Sequence, residues 1–516
     1  MLKKIRVALA IAFFIVISLL FLDISGVLNK YFAYFAELQF VPALLSINVV
    51  VLILLVLLTF VFGRIYCSVI CPTGVYQDII SYFARRIKSK KARRYSYSAA
   101  KTILRITILA FFTVGVVAGI GFITAILDPY GSYGRIATEL ISPVYKSANN
   151  LFAKILGDQS YTFTTSQIWI KSIFSLVLAS LSLLIIGLLA WRSGRTYCNT
   201  YCPVGTILGY ISKFSIFKLQ IDKTSCTTCG RCARDCKASC IDFKNHTIDY
   251  TRCVTCFNCI ESCKDGSMSY SLRKRTVEQP FEKIGVLPES SSRRQFLITS
   301  LILTASAAEL RAQEKKRSMI KFPAVRKERY KRPVPISPPG SLSHENLNSK
   351  CTACLLCVNQ CPEKIIHPSV NEYGWTAVMQ PTLSFERGYC KTDCTVCSDV
   401  CPTNAITKFS KEEKTKVALG HAIYIRENCI VVKDDVNCDG CWRICPTDAI
   451  TRKYRDNGDP YTPPSDQPNA NTVDLRLVPV VNKDKCIGCG ACEYICPARP
   501  LTAIFVKGYK KHRILN

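Results

Sequence analysis

Histidine is scarce in this 516-residue chain: only His246, His344, His367, His421 and His512 occur, and none lies in an apolar stretch long enough to cross a bilayer. A histidine-ligated b haem inside a membrane is therefore excluded. No Cys-x-x-Cys-His occurs, which removes c-type haem attachment. There is no convincing Gly-rich dinucleotide fingerprint and no P-loop, so no flavin, nicotinamide or nucleotide site is expected. Acidic residues are also few, 37 Asp and Glu against 67 Lys and Arg, for a formal net charge of +30. In a soluble protein that excess would suggest nucleic acid. Here it lies largely in loops beside apolar stretches, and no aromatic-rich nucleic-acid motif accompanies it. It is read as topology signal and attraction to anionic lipid, without a nucleic-acid partner.

Cysteine is the opposite case, with 29 residues. Twenty-four fall in six blocks close to the C-x2-C-x2-C-x3-C spacing. The blocks are Cys226, Cys229, Cys232 and Cys236; Cys253, Cys256, Cys259 and Cys263; Cys351, Cys354, Cys357 and Cys361; Cys390, Cys394, Cys397 and Cys401; Cys429, Cys438, Cys441 and Cys445; and Cys486, Cys489, Cys492 and Cys496. This spacing lets three thiolates close on one iron–sulfur cubane while the fourth reaches a partner cubane. A disulfide framework belongs to short secreted chains and has no such period. One block alone could be a zinc site; six, of which four end in Cys-Pro, point to about six [4Fe–4S] clusters and single-electron transfer.

Four apolar stretches occupy the first 200 residues, at about 7–22, 44–62, 103–127 and 168–191. Most approach the roughly 20 residues a spanning helix needs, the first being marginal. They predict a helical membrane bundle with four spanning helices, the first an uncleaved anchor, joined to α+β ferredoxin-like polycluster domains. The 64–101 loop is strongly basic, with Asp78 as its sole acid, and the 128–167 loop is near neutral. By the positive-inside rule the amino terminus, the 64–101 loop and the blocks at 226–263 face the cytoplasm.

The apolar region contains a repeat. Gly63-Arg-Ile-Tyr-Cys67-Ser-Val-Ile-Cys71-Pro72-Thr-Gly74 returns as Gly194-Arg-Thr-Tyr-Cys198-Asn-Thr-Tyr-Cys202-Pro203-Val-Gly205. Each copy follows an apolar stretch, so the membrane part reads as duplicated. Thiols four apart share a helix face, and two facing copies can gather four of them. Cys67, Cys71, Cys198 and Cys202 are therefore candidates for an extra metal or cluster site, a redox-active thiol group or the wall of a quinone pocket. The plainer alternative is that small buried cysteines and prolines shape a helix-to-loop turn.

Further along, Ser291-Ser-Arg293-Arg294-Gln-Phe296-Leu297 precedes an apolar run ending at Ala308, too short to span and right for a signal h-region. It resembles a twin-arginine export signal, and Ala305-Ser306-Ala307 offers a cleavage pattern. The alternative is a basic linker before an ordinary core helix. Ten Lys or Arg between 311 and 332 oppose export under the positive-inside trend unless the segment crosses already folded. A Pro-rich spacer from Arg332 leads into the last four blocks. The expected domains are 1–216 (membrane helices with both Cys-x3-Cys-Pro motifs), 217–272 (two clusters), 273–344 (export-like segment and linker) and 345–516 (four clusters).

Crossed ligation predicts Cys226, Cys229, Cys232 and Cys263 on one cubane, and Cys253, Cys256, Cys259 and Cys236 on the other. Lys237 and Lys264 stand where proline usually follows the last cysteine, and Cys240 is an alternative fourth ligand. In the carboxy-terminal region, spacing leaves open whether the first block pairs with the second and the third with the fourth, or whether the pairing is nested.

The paired Gly-Arg-x-Tyr-Cys-x3-Cys-Pro motifs followed by a two-cluster ferredoxin make residues 1–270 resemble the NapH/MauN family of quinol-dehydrogenase membrane components. From Ser291 on, the Arg-Arg segment, the regular first block and Cys429-x8-Cys438-Asp-Gly-Cys441-Trp-Arg-Ile-Cys445-Pro resemble the NapG/MauM ferredoxin-type proteins. The resemblance implies a fusion of two normally separate partners. It implies oxidation of quinol from the quinone pool at a multi-pass inner-membrane domain and delivery of electrons to a periplasmic reductase such as nitrate reductase. The two-cluster domain would then be cytoplasmic and the four-cluster domain periplasmic. Four-cluster reductase subunits similar to the latter imply nested pairing. The competing function is an assembly or redox-maintenance factor for a respiratory metalloenzyme, since membrane ferredoxins with similar Cys-x3-Cys-Pro motifs serve cytochrome oxidase maturation.

Overall fold

The computed structural model describes residues 1–23, 26–89, 94–156, 168–272, 327–328, 330–434, 436–454 and 477–515. The export-like segment at 291–308 lies outside the described residues. Two helices, Leu2–Leu22 and Ile173–Ser193, are each 21 residues long and apolar enough to cross a membrane.

Of the four expected spanning helices, these two have the length to cross; the other two apolar stretches form shorter helices among the described residues. The stretch at 44–62 is broken where Ile47 turns into left-handed backbone (φ 56°) and Asn48 caps a new helix by accepting from the Val51 amide. What remains, Val49–Phe62, is 14 residues, about 21 Å against the roughly 30 Å of a hydrocarbon core. The stretch at 103–127 breaks at Gly119 (φ 66°) into helices Thr102–Val117 and Gly121–Leu127. A Cβ on Gly121 would lie 2.7 Å from the Asn348 carbonyl oxygen, so the second piece is held against the carboxy-terminal domain. The apolar helices carry an exposed belt: Val50, Ile103 and Val117 are 76%, 84% and 83% exposed. Continuous apolar faces of this kind need a non-aqueous cover.

The two sequence repeats fold alike. Helices Val49–Phe62 and Ile173–Ser193 each end on a left-handed glycine, Gly63 (φ 77°) and Gly194 (φ 72°). The chain then turns through a single helical turn carrying the first thiol, Ile65–Val69 or Tyr197–Tyr201. It restarts with proline in the first turn as helix Pro72–Ile87 or Pro203–Ser212. Helix Pro72–Ile87 lies along Ile173–Ser193, where the Tyr76 hydroxyl donates to the Leu183 carbonyl at 3.3 Å. From the other side of the bundle, helix Pro129–Ile136 enters, capped by Asp128, whose carboxylate accepts from the amides of Tyr130 and Gly131 at 3.0 and 2.7 Å.

The 217–272 region is ferredoxin-like. Strands Phe217–Ile221 and Met268–Leu272 pair antiparallel, enclosing two short helices, Arg231–Arg234 and Asn258–Ser262. In the carboxy-terminal domain, Ile366–Pro368 pairs with Pro381–Leu383 and Ile450–Tyr454 with Leu477–Val481. The long strand Ile504–Ile514 returns to pair with Val417–Tyr424, tying the last two blocks to the chain that follows the second.

Candidate metal centres

Each block puts its third cysteine on a one-turn helix, entered in several blocks through a residue in left-handed backbone such as Leu355 (φ 64°) or Gly490 (φ 79°). This curl points successive amides and thiols at one space. One cavity is lined by Cys351, Cys354, Cys357 and Cys401. A second is lined by Cys486, Cys489, Cys492 and Cys445, and a third by Cys429, Cys438, Cys441 and Cys496. Cys361 lies in the same electrostatic neighbourhood as Cys390, Cys394 and Cys397. In the two-cluster region the same holds for Cys226, Cys229, Cys232 and Cys263, and for Cys253, Cys256, Cys259 and Cys236.

The fourth cysteine of each block thus stands beside the first three of its partner block, the placement that crossed ligation would use. The carboxy-terminal pairing is sequential, first block with second and third with fourth, which overturns the nested expectation. The reason is local: 28 residues separate Cys361 from Cys390, and the hairpin formed by Ile366–Pro368 and Pro381–Leu383 folds that link back on itself. The two pairs meet where the Cys390 amide donates to the Cys489 carbonyl at 2.9 Å. Despite the stretched opening between Cys429 and Cys438, both line one cavity. Cys240 is buried with its sulfur 3.5 Å from that of Cys236, beside the ligand set rather than remote from it.

The residues fit cubanes better than single ions. Among the described residues no group of three or more Cys, His, Asp or Glu is close enough to hold one metal ion. Zinc at about 2.3 Å from each sulfur would draw four thiols to within about 4 Å of one another; the faces of a cubane hold them farther apart.

Cys67, Cys71, Cys198 and Cys202 are buried in one core cluster with Tyr66 and Tyr197. The two repeats clasp each other. Arg64 of the first donates to the Cys198 carbonyl at 3.3 Å and lies 3.7 Å from the Cys67 sulfur. Arg195 of the second donates to the Cys67 carbonyl at 2.6 Å and lies 3.9 Å from the Cys198 sulfur. Gly74 and Gly205 let the backbones approach: a Cβ on either would lie 2.2 or 2.1 Å from the carbonyl oxygen of Cys67 or Cys198. Gln77 donates to the Cys198 sulfur at 3.1 Å, and the Gly205 amide donates to that of Cys202 at 3.3 Å.

Sequence reasoning missed the charges around this group. Asp78 accepts from Arg6 at 2.9 Å, Arg195 at 2.6 Å and Lys237 at 2.6 Å. Its isolation as the single acid of a basic loop was the available signal. Lys237, which stands where proline usually follows the last cysteine, is one of the three buried cations of this set. Its carbonyl also accepts from the Arg195 amide at 2.8 Å.

Residues 46–91 and 174–222, which contain both Cys-x3-Cys-Pro motifs, match the 4Fe-4S binding domain family. Residues 350–406 and 435–499 each match a 4Fe-4S dicluster domain family, the same grouping as the sequential pairs. Among curated proteins, the methylamine utilization ferredoxin-type protein MauN of Paracoccus denitrificans is 24% identical over 176 residues, 34% of this chain and 48% of that protein. MauM of Methylobacillus flagellatus is 30% identical over 175 residues, 32% of this chain and 67% of that protein. The ferredoxin-type protein NapG of Escherichia coli is 27% identical over 164 residues, 32% of this chain and 66% of that protein. The chain thus spans about half the length of the MauN relative and two thirds of the MauM relative. No solved structure matches it. The chain carries several 4Fe–4S clusters and transfers electrons.

Proposed function

We infer what this chain does from one premise: it belongs to the ferredoxin-type family of MauM, with a MauN-like part joined ahead of it. On that premise it is a membrane-anchored electron-transfer protein that oxidises a quinol to quinone, releases its two protons to solvent and delivers its two electrons one at a time to an acceptor protein across the bilayer. The clusters, when bound, supply one-electron centres whose potentials follow charge, hydrogen bonding to sulfur and exposure. The protein's residues hold each thiolate set, with Cys229 exposed and the other block cysteines buried or half-buried. Lys414, which is buried and donates to the Cys394 carbonyl, sets a cation beside the thiols of Cys390 and Cys397.

The first helix carries the reading. Near its start Lys3 pairs with Glu261 of the 217–272 ferredoxin. At its end the carbonyls of Leu20 and Asp23 accept from Gln360 of the first carboxy-terminal block, at 3.0 and 3.1 Å. The two sets of blocks therefore sit at opposite ends of one 21-residue apolar helix, about 30 Å apart along its axis. With the basic 64–101 loop inside, the 217–272 domain is cytoplasmic and the carboxy-terminal domain lies on the far side, in a bacterial inner membrane. Their cysteines are the ligands of six [4Fe–4S] clusters in the crossed sets given above. A periplasmic reductase is the acceptor that fits this orientation.

The test is reduction of the anaerobically purified protein by quinol in liposomes. Bleaching of the cluster absorbance by a menaquinol or ubiquinol analogue is expected. Failure of both, with dithionite still bleaching it, would falsify the quinol role.

A further inference from the structure

The four buried thiols of the membrane core stand between the two cluster-bearing domains. We propose that Cys67, Cys71, Cys198 and Cys202 bind a further iron–sulfur cluster, which bridges the cytoplasmic and far-side cluster sets. The site rests on the electron-transfer reading above and is independent of the electron donor.

The first argument is the ligand set. Two thiols from each repeat meet in one buried core cluster, and the four lie within electrostatic reach of one another. All are free of disulfides. Four cysteine thiolates are the ligand set of [2Fe–2S] and [4Fe–4S] centres. Among the described residues these thiols, like those of the six blocks, form no single-ion site.

The second argument is charge. A bound cluster with four thiolates is anionic, and an apolar bundle would reject it unless cations and donors were built in. Arg64 and Arg195 lie 3.7 and 3.9 Å from the sulfurs of Cys67 and Cys198, and Gln77 and the Gly205 amide donate to the sulfurs of Cys198 and Cys202. Both arginines are fully buried. Arg64 is held by the Asn199 side chain, the carbonyls of Thr251 and Cys198, and the Cys67 sulfur. A buried guanidinium beside the sulfurs offsets part of the negative charge that a bound cluster would bring.

The third argument is position. On the cytoplasmic side Arg195 links the site to the neighbouring ferredoxin: its side chain donates to the Cys67 carbonyl and its amide to the carbonyl of Lys237, next to Cys236. On the far side, Thr73, two residues after Cys71, donates to the Pro129 carbonyl at 2.5 Å. The same helix then meets the first carboxy-terminal block, where Cβ atoms on Gly131 and Gly134 would lie 2.7 and 2.6 Å from the carbonyl oxygens of Thr352 and Cys354. A cluster here takes one electron from the set of Cys236, Cys253, Cys256 and Cys259 and gives it to the set of Cys351, Cys354, Cys357 and Cys401, or the reverse. Each donor is oxidised and each acceptor reduced by that one electron, with no proton or co-reactant.

The test compares the full chain with the variant C67S/C71S/C198S/C202S, both purified anaerobically. The expected result is a loss of about two iron and two sulfide per chain for a [2Fe–2S] centre, or about four of each for a cubane. One component of the reduced-state electron paramagnetic resonance spectrum disappears and about 24 irons remain. Iron, sulfide and spectrum equal to the parent, or loss of zinc in place of iron, would overturn the proposal. Should the fourfold variant fail to fold, Gln77→Leu removes one donor to the Cys198 sulfur. A redox titration of that variant should then show one component shifted to lower potential and the others unmoved; no shifted component would overturn the proposal. Quinol reduction is read separately, so failure of the donor assignment leaves this site standing.

Discussion

At the scale of single residues, the largest consequence hangs on Asp78. It is the counter-charge for Arg6, Arg195 and Lys237, three cations that are each buried. Removing one partner of a buried ion pair leaves uncompensated charge at a cost of about 3–5 kcal/mol. Asp78→Asn should therefore lower the Tm of the holoprotein well beyond the effect of breaking the exposed Lys3–Glu261 pair, a surface contact worth less than about 1 kcal/mol. In the carboxy-terminal domain, burial pushes His512 down to about 4, and His344 beside it adds to the effect. A half-buried histidine held neutral in the fold takes up its proton more readily when unfolded. Stability is then full above about pH 6.5 and falls as the pH drops toward 4, by on the order of 3 kcal/mol. Urea unfolding of His512→Gln should show a flatter pH dependence than the parent across that window.

At the scale of elements, the cysteine loop and its one-turn helix form a unit that hands its fourth thiol to the neighbour. Cys401 lines the cavity of the first block, not that of its own. Cys401→Ser should accordingly disturb the cluster held by Cys351, Cys354 and Cys357 and leave that of Cys390, Cys394 and Cys397 intact, as resolved by spectroscopic redox titration. Gly490 opens the helix of the last block in left-handed backbone, and a Cβ there would lie 2.2 Å from the Phe385 ring. Gly490→Ala adds backbone strain to a clash with a buried aromatic. A loss of about 1–3 kcal/mol is expected in thermal unfolding.

At the scale of the whole molecule, the carboxy-terminal domain is seated on the bundle through close backbone approach. Arg135 donates to the Ala353 carbonyl at 3.4 Å, and Gln360 reaches the end of the first helix. A Cβ on Gly134 would lie 2.6 Å from the Cys354 carbonyl oxygen and 2.9 Å from the Phe21 ring. Gly134→Leu should lift the first block away from the membrane core. Iron content should stay at the parent level while electron transfer between the two sides falls at least about 10-fold, read with a reductant outside liposomes and an acceptor dye inside.

Much of this was legible along the chain because cluster ligation is a local code. The spacing within each block, and the short link from Cys236 to Cys253, were enough to specify crossed ligation in the first pair. The repeated Gly-Arg-x-Tyr-Cys-x3-Cys-Pro motif likewise announced duplicated turns. Hydropathy counts apolar residues and does not register the breaks at Ile47 and Gly119, which divide two of the four stretches into shorter helices. Three things belonged to the tertiary structure: which carboxy-terminal blocks share clusters, the gathering of Asp78, Arg195 and Lys237, and the mutual clasp of Arg64 and Arg195 across the repeats. Each joins groups far apart in sequence, and no local propensity or period encodes which of many possible long-range contacts will form. The chain by itself determined which thiols carry ligand spacing and in what local geometry; only folding decided which of them face one another.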